Sequence, residues 1–265
     1  MLANFHTHTT FCDGKNTPEE IVLCAIENGF DAIGFSGHVN TPFDLSYCMQ
    51  DTAGYVAEIK RLKEKYKGKL NIYLGIEEDM YALVNRQDYD YIIGSKHYLF
   101  NGAKYFSIDS SCDTLQECLD LFEGNALALA KNYYETFCNY ILKRKPDIVG
   151  HFDLITKFEE TGTQWFLNNA DYMNLAERYI SEVADKAIFE INTGAMARGI
   201  RKTLYPSTNL IYVLKKYNGK VILSSDSHSA ETLSFCFEET KKLLRDIGFD
   251  SIYEFDKRMF KKRVL

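Results

Sequence analysis

The chain has 265 residues, of which 46% are apolar, and its net charge is −6. This composition is typical of a globular protein with a packed core, and the negative charge argues against broad nucleic-acid binding. No apolar run approaches the roughly 18 residues that cross a bilayer, so we expect no membrane partner. No signal peptide, linker or repeat is evident, and the seven cysteines contain no Cys-x-x-Cys pair. We therefore predict one domain over residues 1–265, with reduced thiols, in the cytoplasm.

The first predicted element is a short strand, 2–5, that ends in His6-Thr-His8 and runs into a polar turn containing Asp13. Side chains two apart on a strand share a face, so His6 and His8 can aim at one point. Imidazole is the commonest protein ligand of transition metals, and Asp13 can fold back toward the same point. This stretch indicates a metal site; the alternative is a chance pair of histidines.

The rest of the chain alternates between helical patterns and apolar runs. Thr17-Pro-Glu-Glu20 is typical of a helix start, and that helix should end near Gly29. Further strands are predicted over 31–37, 71–76, 91–95, 147–150, 187–192 and 221–228. Further helices are predicted over 52–66, over 114–144 with a break near Gly124, over 172–186 and over 206–217, and helices are expected to complete the chain.

Strand and helix thus alternate seven times, and the strands are apolar on both faces. This pattern predicts an α/β fold whose parallel sheet closes into a barrel, with the active site at the C-terminal ends of the strands. All six histidines follow such strand ends: His6, His8, His38, His97, His151 and His228. The agreement between topology and chemistry makes a chance origin of the first pair improbable.

The strand ends carry nine candidate metal ligands: His6, His8, Asp13, His38, Glu77, His97, His151, Asp226 and His228. A four-coordinate metal needs about four ligands, so nine indicate two or three divalent ions and a bridging carboxylate. Nitrogen and oxygen donors without thiolate suit Zn, Mn or Fe. Clustered metals activate water and neutralise phosphoryl charge, so the predicted reaction is hydrolysis of a small phosphate ester.

Two arginines follow the sixth predicted strand, Arg198 and Arg201. Each is a candidate phosphate ligand because guanidinium presents a planar fork to phosphate oxygens; the alternative is a solvated basic loop. Asp226, or a water bound to metal, is the candidate group that handles the proton of the leaving alkoxide.

Several neighbouring residues have weaker claims to a role. Glu78 is expected to point away from Glu77, toward solvent or a supporting position. Asp153 is a candidate for orienting a ligand, and Cys12 is expected to be a half-buried bystander. Lys96 and Lys157 are lesser candidates for binding phosphate.

With these residues in view, the chain resembles the polymerase-and-histidinol-phosphatase (PHP) family of metal-dependent phosphoesterases, and within it the monofunctional histidinol-phosphate phosphatases. The matching motifs span nearly the whole chain in family order: His6-Thr-His8, Phe35-Ser-Gly-His38, Gly75-Ile-Glu77, Gly94-Ser-Lys-His97, Gly150-His151-Phe-Asp, Glu190-Ile-Asn-Thr and Ser225-Asp226-Ser-His228. The resemblance implies a single PHP-type domain, a distorted (β/α)7 TIM-like barrel with a trinuclear metal site at its C-terminal mouth.

The resemblance also implies a ligand set for each metal. One metal has His6, His8, Glu77 and Asp226; Glu77 bridges to a second held by His97 and His151; Asp13, His38 and His228 hold a third. Some family members carry histidine at the position of Asp13, so the donor set of the third site differs here.

The activity implied by the resemblance is hydrolysis of L-histidinol phosphate to L-histidinol and phosphate, in histidine biosynthesis. One alternative is a PHP phosphoesterase for another small phosphate, such as a sugar phosphate or a nucleotide. Others are a non-catalytic metal-binding module, against which the nine retained ligands argue, and a metal-dependent amide or ring hydrolase. The sequence leaves the native metal, the oligomeric state and the residues that bind the organic half of the substrate open.

Overall fold

The computed structural model describes residues 1–257 and 259–265. Its strands are β1 (Ala3–Asn4), β2 (Ala32–Phe35), β3 (Asn71–Asp79), β4 (Tyr91–Ser95), β5 (Tyr98–Phe100), β6 (Tyr105–Ser107), β7 (Ile148–Val149), β8 (Ile188–Asn192), β9 (Lys220–Ser224), β10 (Ser251–Asp256) and β11 (Met259–Val264). Its helices are α1 (Pro18–Glu27), α2 (Thr52–Lys65), α3 (Cys112–Asp120), α4 (Ala126–Arg144), α5 (Ala170–Val183), α6 (Gly194–Ala197), α7 (Thr208–Lys216) and α8 (Phe237–Ile247). None of these helices is long and apolar enough to cross a bilayer.

Local sequence signals account for several helix boundaries. Thr17 and Glu20 form the predicted capping box at the start of α1. The predicted break in the long helical region is also present, because Gly124 adopts a φ of +78° between α3 and α4. Asn125 then caps α4 through a hydrogen bond from the amide of Ala128 to its side chain.

Nine strands form one sheet in the order β1-β2-β3-β4-β7-β8-β9-β10-β11, and each neighbouring pair is parallel except β10 and β11. The sheet curls until the segment after β1 meets the segment after β9. There the amide of His8 donates to the carbonyl of Ser227 (2.8 Å), and the amide of Ser227 donates to the carbonyl of His6 (3.1 Å). The predicted distorted α/β barrel is therefore confirmed.

The strand count differs from the predicted seven. The predicted strands all form, but β10 adds another parallel neighbour to β9, and β5 and β6 form a separate hairpin that the sequence reading did not identify. The exact (β/α)7 arrangement is thus not reproduced.

The expectation that helices complete the chain is wrong beyond α8. Gly248 ends α8 with a φ of +104°, and β10 and β11 follow as an antiparallel hairpin. Aromatic and β-branched residues such as Ile252 and Phe255 favour the pleated conformation of this segment. Phe255 enters the base of the barrel, where its ring lies 5.0 Å from that of Tyr73 and 5.5 Å from that of Tyr91, between centroids.

The barrel interior below the mouth is filled by apolar side chains from most of its strands: Phe5, Ala32, Tyr73, Tyr91, Ile93, Ile148, Ile188, Ile222 and Phe255. Tyr91 extends across this interior and donates its hydroxyl to the carbonyl of Phe5 (2.6 Å). Gly34 makes room for it, because a Cβ there would lie 2.3 Å from the Tyr91 hydroxyl. Because apolar side chains fill the interior below the mouth, the candidate ligands gather at the C-terminal mouth.

We expect Phe255→Ala to lower the free energy of unfolding by roughly 3–5 kcal/mol, because it opens a cavity among the aromatic rings at the base. Chemical denaturation of the metal-free protein measures the change. Val264→Ala on the same hairpin is the control, since Val264 is 90% exposed and its truncation should stay within about 0.5 kcal/mol. Equal effects of the two substitutions would contradict a packed base.

Candidate metal centre

All nine predicted ligands meet at the C-terminal mouth of the barrel. Glu77 lies on β3, and Asp13 lies in the turn after β1. The other seven residues follow the ends of strands. Their donor atoms form four overlapping groups, each compact enough to hold one ion: His8, Asp13, His38 and His228; His6, Glu77 and His151; His6, His8 and Asp226; and His38, Glu77 and His97. Residues up to 222 positions apart in the chain thus face one small volume, from His6 to His228.

Glu77 belongs to two of these groups and is 1% exposed. Its Oε2 lies 2.8 Å from His38 Nδ1 and 3.3 Å from His6 Nε2. Its Oε1 lies 2.9 Å from His151 Nε2 and 3.4 Å from His97 Nε2. Each oxygen of one carboxylate therefore faces a different pair of imidazoles, which is the arrangement that a bridging ligand requires.

The charge of Glu77 is stabilised by its neighbours. Burial alone would raise the pKa of this carboxyl, but the imidazoles of His38, His6 and His97 hold the pKa well below its ordinary value. The hydroxyl of Ser95 also donates to Glu77 Oε1 (2.6 Å). Glu77 is therefore ionised and available as an oxygen ligand.

Two aspartates complete the donor set on either side of His8. Asp226 Oδ1 lies 3.1 Å from His8 Nε2 and 3.6 Å from His6 Nε2. Asp13 places Oδ1 3.7 Å from His38 Nε2 and Oδ2 3.3 Å from His228 Nε2. Both ring nitrogens of His8 thus face carboxylates, since its Nδ1 is 3.6 Å from Asp13 Oδ1.

Within the described part of the chain, three buried atoms at the centre make no hydrogen bond of good geometry, although other candidate ligands lie within 4 Å of them: His6 Nε2, His8 Nε2 and Glu77 Oε2. Buried polar atoms are rarely left unpaired in native proteins. The Nδ1 of His6 is already engaged by Glu190 Oε1 at 2.5 Å, so its Nε2 is the nitrogen left to bind a cation in the space that Glu77 also faces. Nitrogen and oxygen atoms that converge in this way fit a bound cation.

The imidazoles differ in how readily they bind a proton. Burial, together with repulsion from His228 and His38, lowers the pKa of His8 to about 3, so its ring is neutral as a metal ligand must be. Burial also lowers the pKa of His6, but Glu190, Asp226 and Glu77 outweigh it and raise that pKa well above its ordinary value. A cation at this position would displace the proton of His6.

Two carboxylates that the sequence reading did not assign as functional orient the ligands from behind. Glu190 on β8 accepts from His6 Nδ1 and, through Oε2, from the amide of His151 (2.8 Å). Asp79 accepts from the amide (2.9 Å) and Nδ1 (3.2 Å) of His97. Such partners fix the tautomer and direction of a ligating imidazole. The available signal for Asp79 was its i, i+2 spacing from Glu77 on one strand.

Glu78 points away from Glu77, as predicted, but it is fully buried rather than solvated. Its carboxylate accepts hydrogen bonds from Arg144 Nε (2.7 Å), the hydroxyl of Tyr140 (2.8 Å) and the amide of Val84 (2.8 Å). On β3, the carboxylate of Glu77 thus faces the mouth, and that of the next residue, Glu78, faces α4.

The residues with weaker claims lie outside the donor set. Burial raises the pKa of Cys12 to about 12, so it is a thiol and a poor metal ligand. Asp153 accepts from the amide of Ser207 (2.9 Å) and does not bond a ligand. Lys96 is buried against α4, where it donates to the carbonyl of Tyr133 (3.1 Å), away from the mouth.

A cavity of about 310 Å³ opens over the candidate metal ligands (the ligand cluster), and Arg198 lies on its wall. The guanidinium of Arg198 donates to the backbone carbonyl of Asp226 (3.0 Å) and to its Oδ2 (3.1 Å), and Nη1 lies 2.8 Å from His228 Nδ1. An arginine held in this position presents its charge beside the candidate ligands.

Arg201 does not line this cavity, so the structure gives no support to the expectation that it binds phosphate. It is 3% exposed, which also excludes the alternative of a solvated loop residue. Its guanidinium donates to the hydroxyls of Thr156 (2.8 Å) and Thr203 (2.9 Å) and lies 4.3 Å from the centroid of the Tyr205 ring. Lys157 does line the cavity, but its ammonium is bonded to Asp109.

Comparison with known proteins shows a match to the model of the PHP domain family over residues 4–194. A probable histidinol-phosphatase of Schizosaccharomyces pombe is 28% identical, over 97% of this chain and 90% of that protein. The histidinol-phosphatase of Bacillus subtilis is 25% identical, over 88% of this chain and 96% of that protein.

Two solved structures share the fold. A putative histidinol phosphatase from Listeria monocytogenes has a TM-score of 0.77 at 23% identity, covering 89% of this chain and 99% of that one. The histidinol phosphate phosphatase of Lactococcus lactis, solved with zinc, L-histidinol and phosphate, has a TM-score of 0.74 at 21% identity, covering 98% of this chain and 99% of that one.

Substitution of the two neighbouring glutamates should separate metal binding from fold stability. We expect Glu77→Gln to lower the metal content, because a neutral amide cannot bridge two cations. Glu78→Gln should leave the metal content unchanged and lower the free energy of unfolding by roughly 3–5 kcal/mol, since Arg144 then lacks its buried partner. Elemental analysis after dialysis and chemical denaturation measure the two effects; full metal occupancy in Glu77→Gln would contradict the bridging role.

Proposed function

This chain belongs to the PHP domain family, and we propose that it is a metal-dependent phosphomonoesterase that hydrolyses L-histidinol phosphate to L-histidinol and phosphate in histidine biosynthesis. The observation that carries the proposal is the two-sided arrangement of imidazoles around Glu77, beside Arg198 and beneath a cavity of small-molecule size. The relatives from Schizosaccharomyces pombe and Bacillus subtilis, which align over most of the chain, carry the name histidinol-phosphatase.

We propose that the donor groups hold two or three divalent ions, with zinc favoured. The mixed nitrogen and oxygen donors suit zinc, and the related Lactococcus lactis enzyme was solved with zinc. The proposed ligands are His6, His8, Asp13, His38, Glu77, His97, His151, Asp226 and His228. When bound, such ions lower the pKa of water and neutralise charge on a phosphoryl group.

The side chains of the protein supply orientation and charge. Arg198 is proposed to bind the phosphate oxygens, because its fork lies on the cavity wall next to the ligand cluster. Asp226, between His8 and Arg198, is proposed to direct a proton from water to the leaving alkoxide; its own carboxyl is ionised, because Arg198 and His6 outweigh burial and hold its pKa well below the ordinary value. Glu190 and Asp79 would hold His6 and His97 in their ligating orientation.

We also propose a cytoplasmic location. All seven cysteines are free thiols, and three of them, Cys48, Cys118 and Cys138, are buried. Unpaired thiols persist where the surroundings are reducing.

We expect the metal-saturated enzyme to release phosphate much faster from L-histidinol phosphate than from sugar or nucleotide phosphates. His8→Ala should lower this turnover by more than the roughly 10–100-fold typical of residues that only support a ligand. Comparable turnover of another phosphate would keep the hydrolytic site and overturn the substrate. No turnover of any phosphate with metal bound would indicate a binding module.

We expect Arg198→Ala to lower kcat for L-histidinol phosphate by about 10²–10³-fold, the loss typical of a donor that stabilises transition-state charge. Arg198→Lys should recover part of the activity, since it keeps the charge and loses the fork. Arg178→Ala is the control, because the Arg178 side chain is 69% exposed on α5. Metal content is measured in each variant; unchanged kcat in Arg198→Ala would remove this residue from the reaction.

A further inference from the structure

The cavity has a second wall that contains no candidate metal ligand. It is formed by the segment after β2 and by the β5–β6 hairpin with the residues that follow it, and its polar and aromatic members are Asp44, Ser46, Tyr47, Tyr98, Ser107 and Asp109. The ligand cluster and Arg198 line the same cavity. A small molecule bound to the ligand cluster would therefore extend toward this second wall.

Aromatic packing joins the two segments that build the second wall. The ring of Phe43 stacks on that of Tyr105 at 3.8 Å between centroids and meets the edge of Tyr98 at 5.0 Å. The hydroxyl of Tyr98 then donates to Asp44 Oδ2 (2.7 Å). The position of Asp44 is thus fixed from two separate parts of the chain.

Asp44 is a negative charge without a counter-ion. Its Oδ1 accepts from the amide (3.0 Å) and the hydroxyl (2.6 Å) of Ser46, and burial, which would raise its pKa, is outweighed by hydrogen bonds that lower it. Across residues 1–257 and 259–265, no lysine, arginine or histidine pairs with Asp44. Asp109 differs, because the ammonium of Lys157 lies 3.1 Å from its Oδ2.

The two walls therefore have opposite charge requirements. The wall with Arg198 fits the dianionic phosphate, whereas the wall with Asp44 fits a cation. The ring of Tyr47 borders both, since its centroid is 4.7 Å from that of His38 and 6.3 Å from that of Tyr98. Aromatic rings beside a carboxylate are favourable surroundings for an ammonium or imidazolium group.

We propose that Asp44 is the specificity-determining residue of the site, and that its carboxylate, beside Tyr47 and Tyr98, binds the positively charged end of a small phosphate monoester. This inference rests on the proposed function. It defines the substrate class as phosphate esters with a cationic organic part, because the uncharged sugar of a sugar phosphate would cover Asp44 without offering it a partner. L-histidinol phosphate, with its amine and imidazole, belongs to that class.

The test is Asp44→Asn assayed in the metal-saturated enzyme against three esters: L-histidinol phosphate, 2-aminoethyl phosphate and glycerol phosphate. The amide keeps the shape and hydrogen-bonding capacity of the side chain while removing its charge. We expect kcat/KM for L-histidinol phosphate to fall about 10–100-fold through KM, because a charge contact of this kind is lost. Turnover of glycerol phosphate should stay within about twofold, since its uncharged glycerol part makes no such contact.

Three further variants control for position and charge. Asp44→Glu keeps the charge and should retain part of the selectivity. Tyr98→Phe removes one hydrogen bond to Asp44 and should weaken selectivity in the same direction. Asp88→Asn is the control for charge: Asp88 is exposed, lies just before β4 and does not line the cavity, so its substitution changes the net charge equally and should have no effect. Inhibition by L-histidinol, which lacks phosphate, should weaken in Asp44→Asn and stay unchanged in Asp88→Asn.

The outcomes separate this inference from the proposed function. If the wild-type enzyme prefers L-histidinol phosphate and Asp44→Asn loses activity equally on all esters, or on none, the role of Asp44 is overturned while the function stands. If the wild-type enzyme prefers 2-aminoethyl phosphate and Asp44→Asn abolishes that preference, the role of Asp44 stands while the proposed substrate fails. If no cationic ester is preferred, the inference is overturned.

Discussion

The buried carboxylate of Glu77 is the constraint on which the rest of the mouth depends. A charge removed from water is costly unless it is paired, and here His6, His38, His97 and His151 surround it. These imidazoles come from different strand ends, and the curled parallel sheet brings them to one carboxylate. The fold thus positions the imidazoles that stabilise the buried carboxylate of Glu77.

Strand β3 illustrates how closely the site is tied to the frame. Glu77 faces the mouth, and Glu78 faces the other way and binds Arg144 at the end of α4. Because successive side chains alternate, a shift of one residue in the register of β3 would exchange the two carboxylates. The ion pair of Glu78 thus stabilises the register that presents Glu77, while Glu190 and Asp79 hold the imidazoles in direction.

The cavity is lined partly by strand ends of the barrel and partly by the loops and the hairpin between its strands. Strand ends supply the ligand cluster, and the loop after β8 supplies Arg198. The segment after β2 and the β5–β6 hairpin supply the opposite wall with Asp44. A barrel edge of this kind can therefore hold the metal-binding groups, while the surrounding loops can set which small molecule enters the cavity.

The sequence by itself predicted which side chains meet at the mouth, because i, i+2 spacing and strand-end position fix which side chains of a parallel barrel share that end. It also predicted the seven strands of the parallel series and the long helices between them, but not the β5–β6 hairpin or the short helix α6. Only the tertiary structure decided between Arg198 at the cavity and Arg201 in the interior, and only it revealed the C-terminal hairpin and the pairing of Glu78 with Arg144. The physical reason is that side-chain direction in irregular loops, and the partner of a buried charge, depend on contacts between distant parts of the chain rather than on local periodicity.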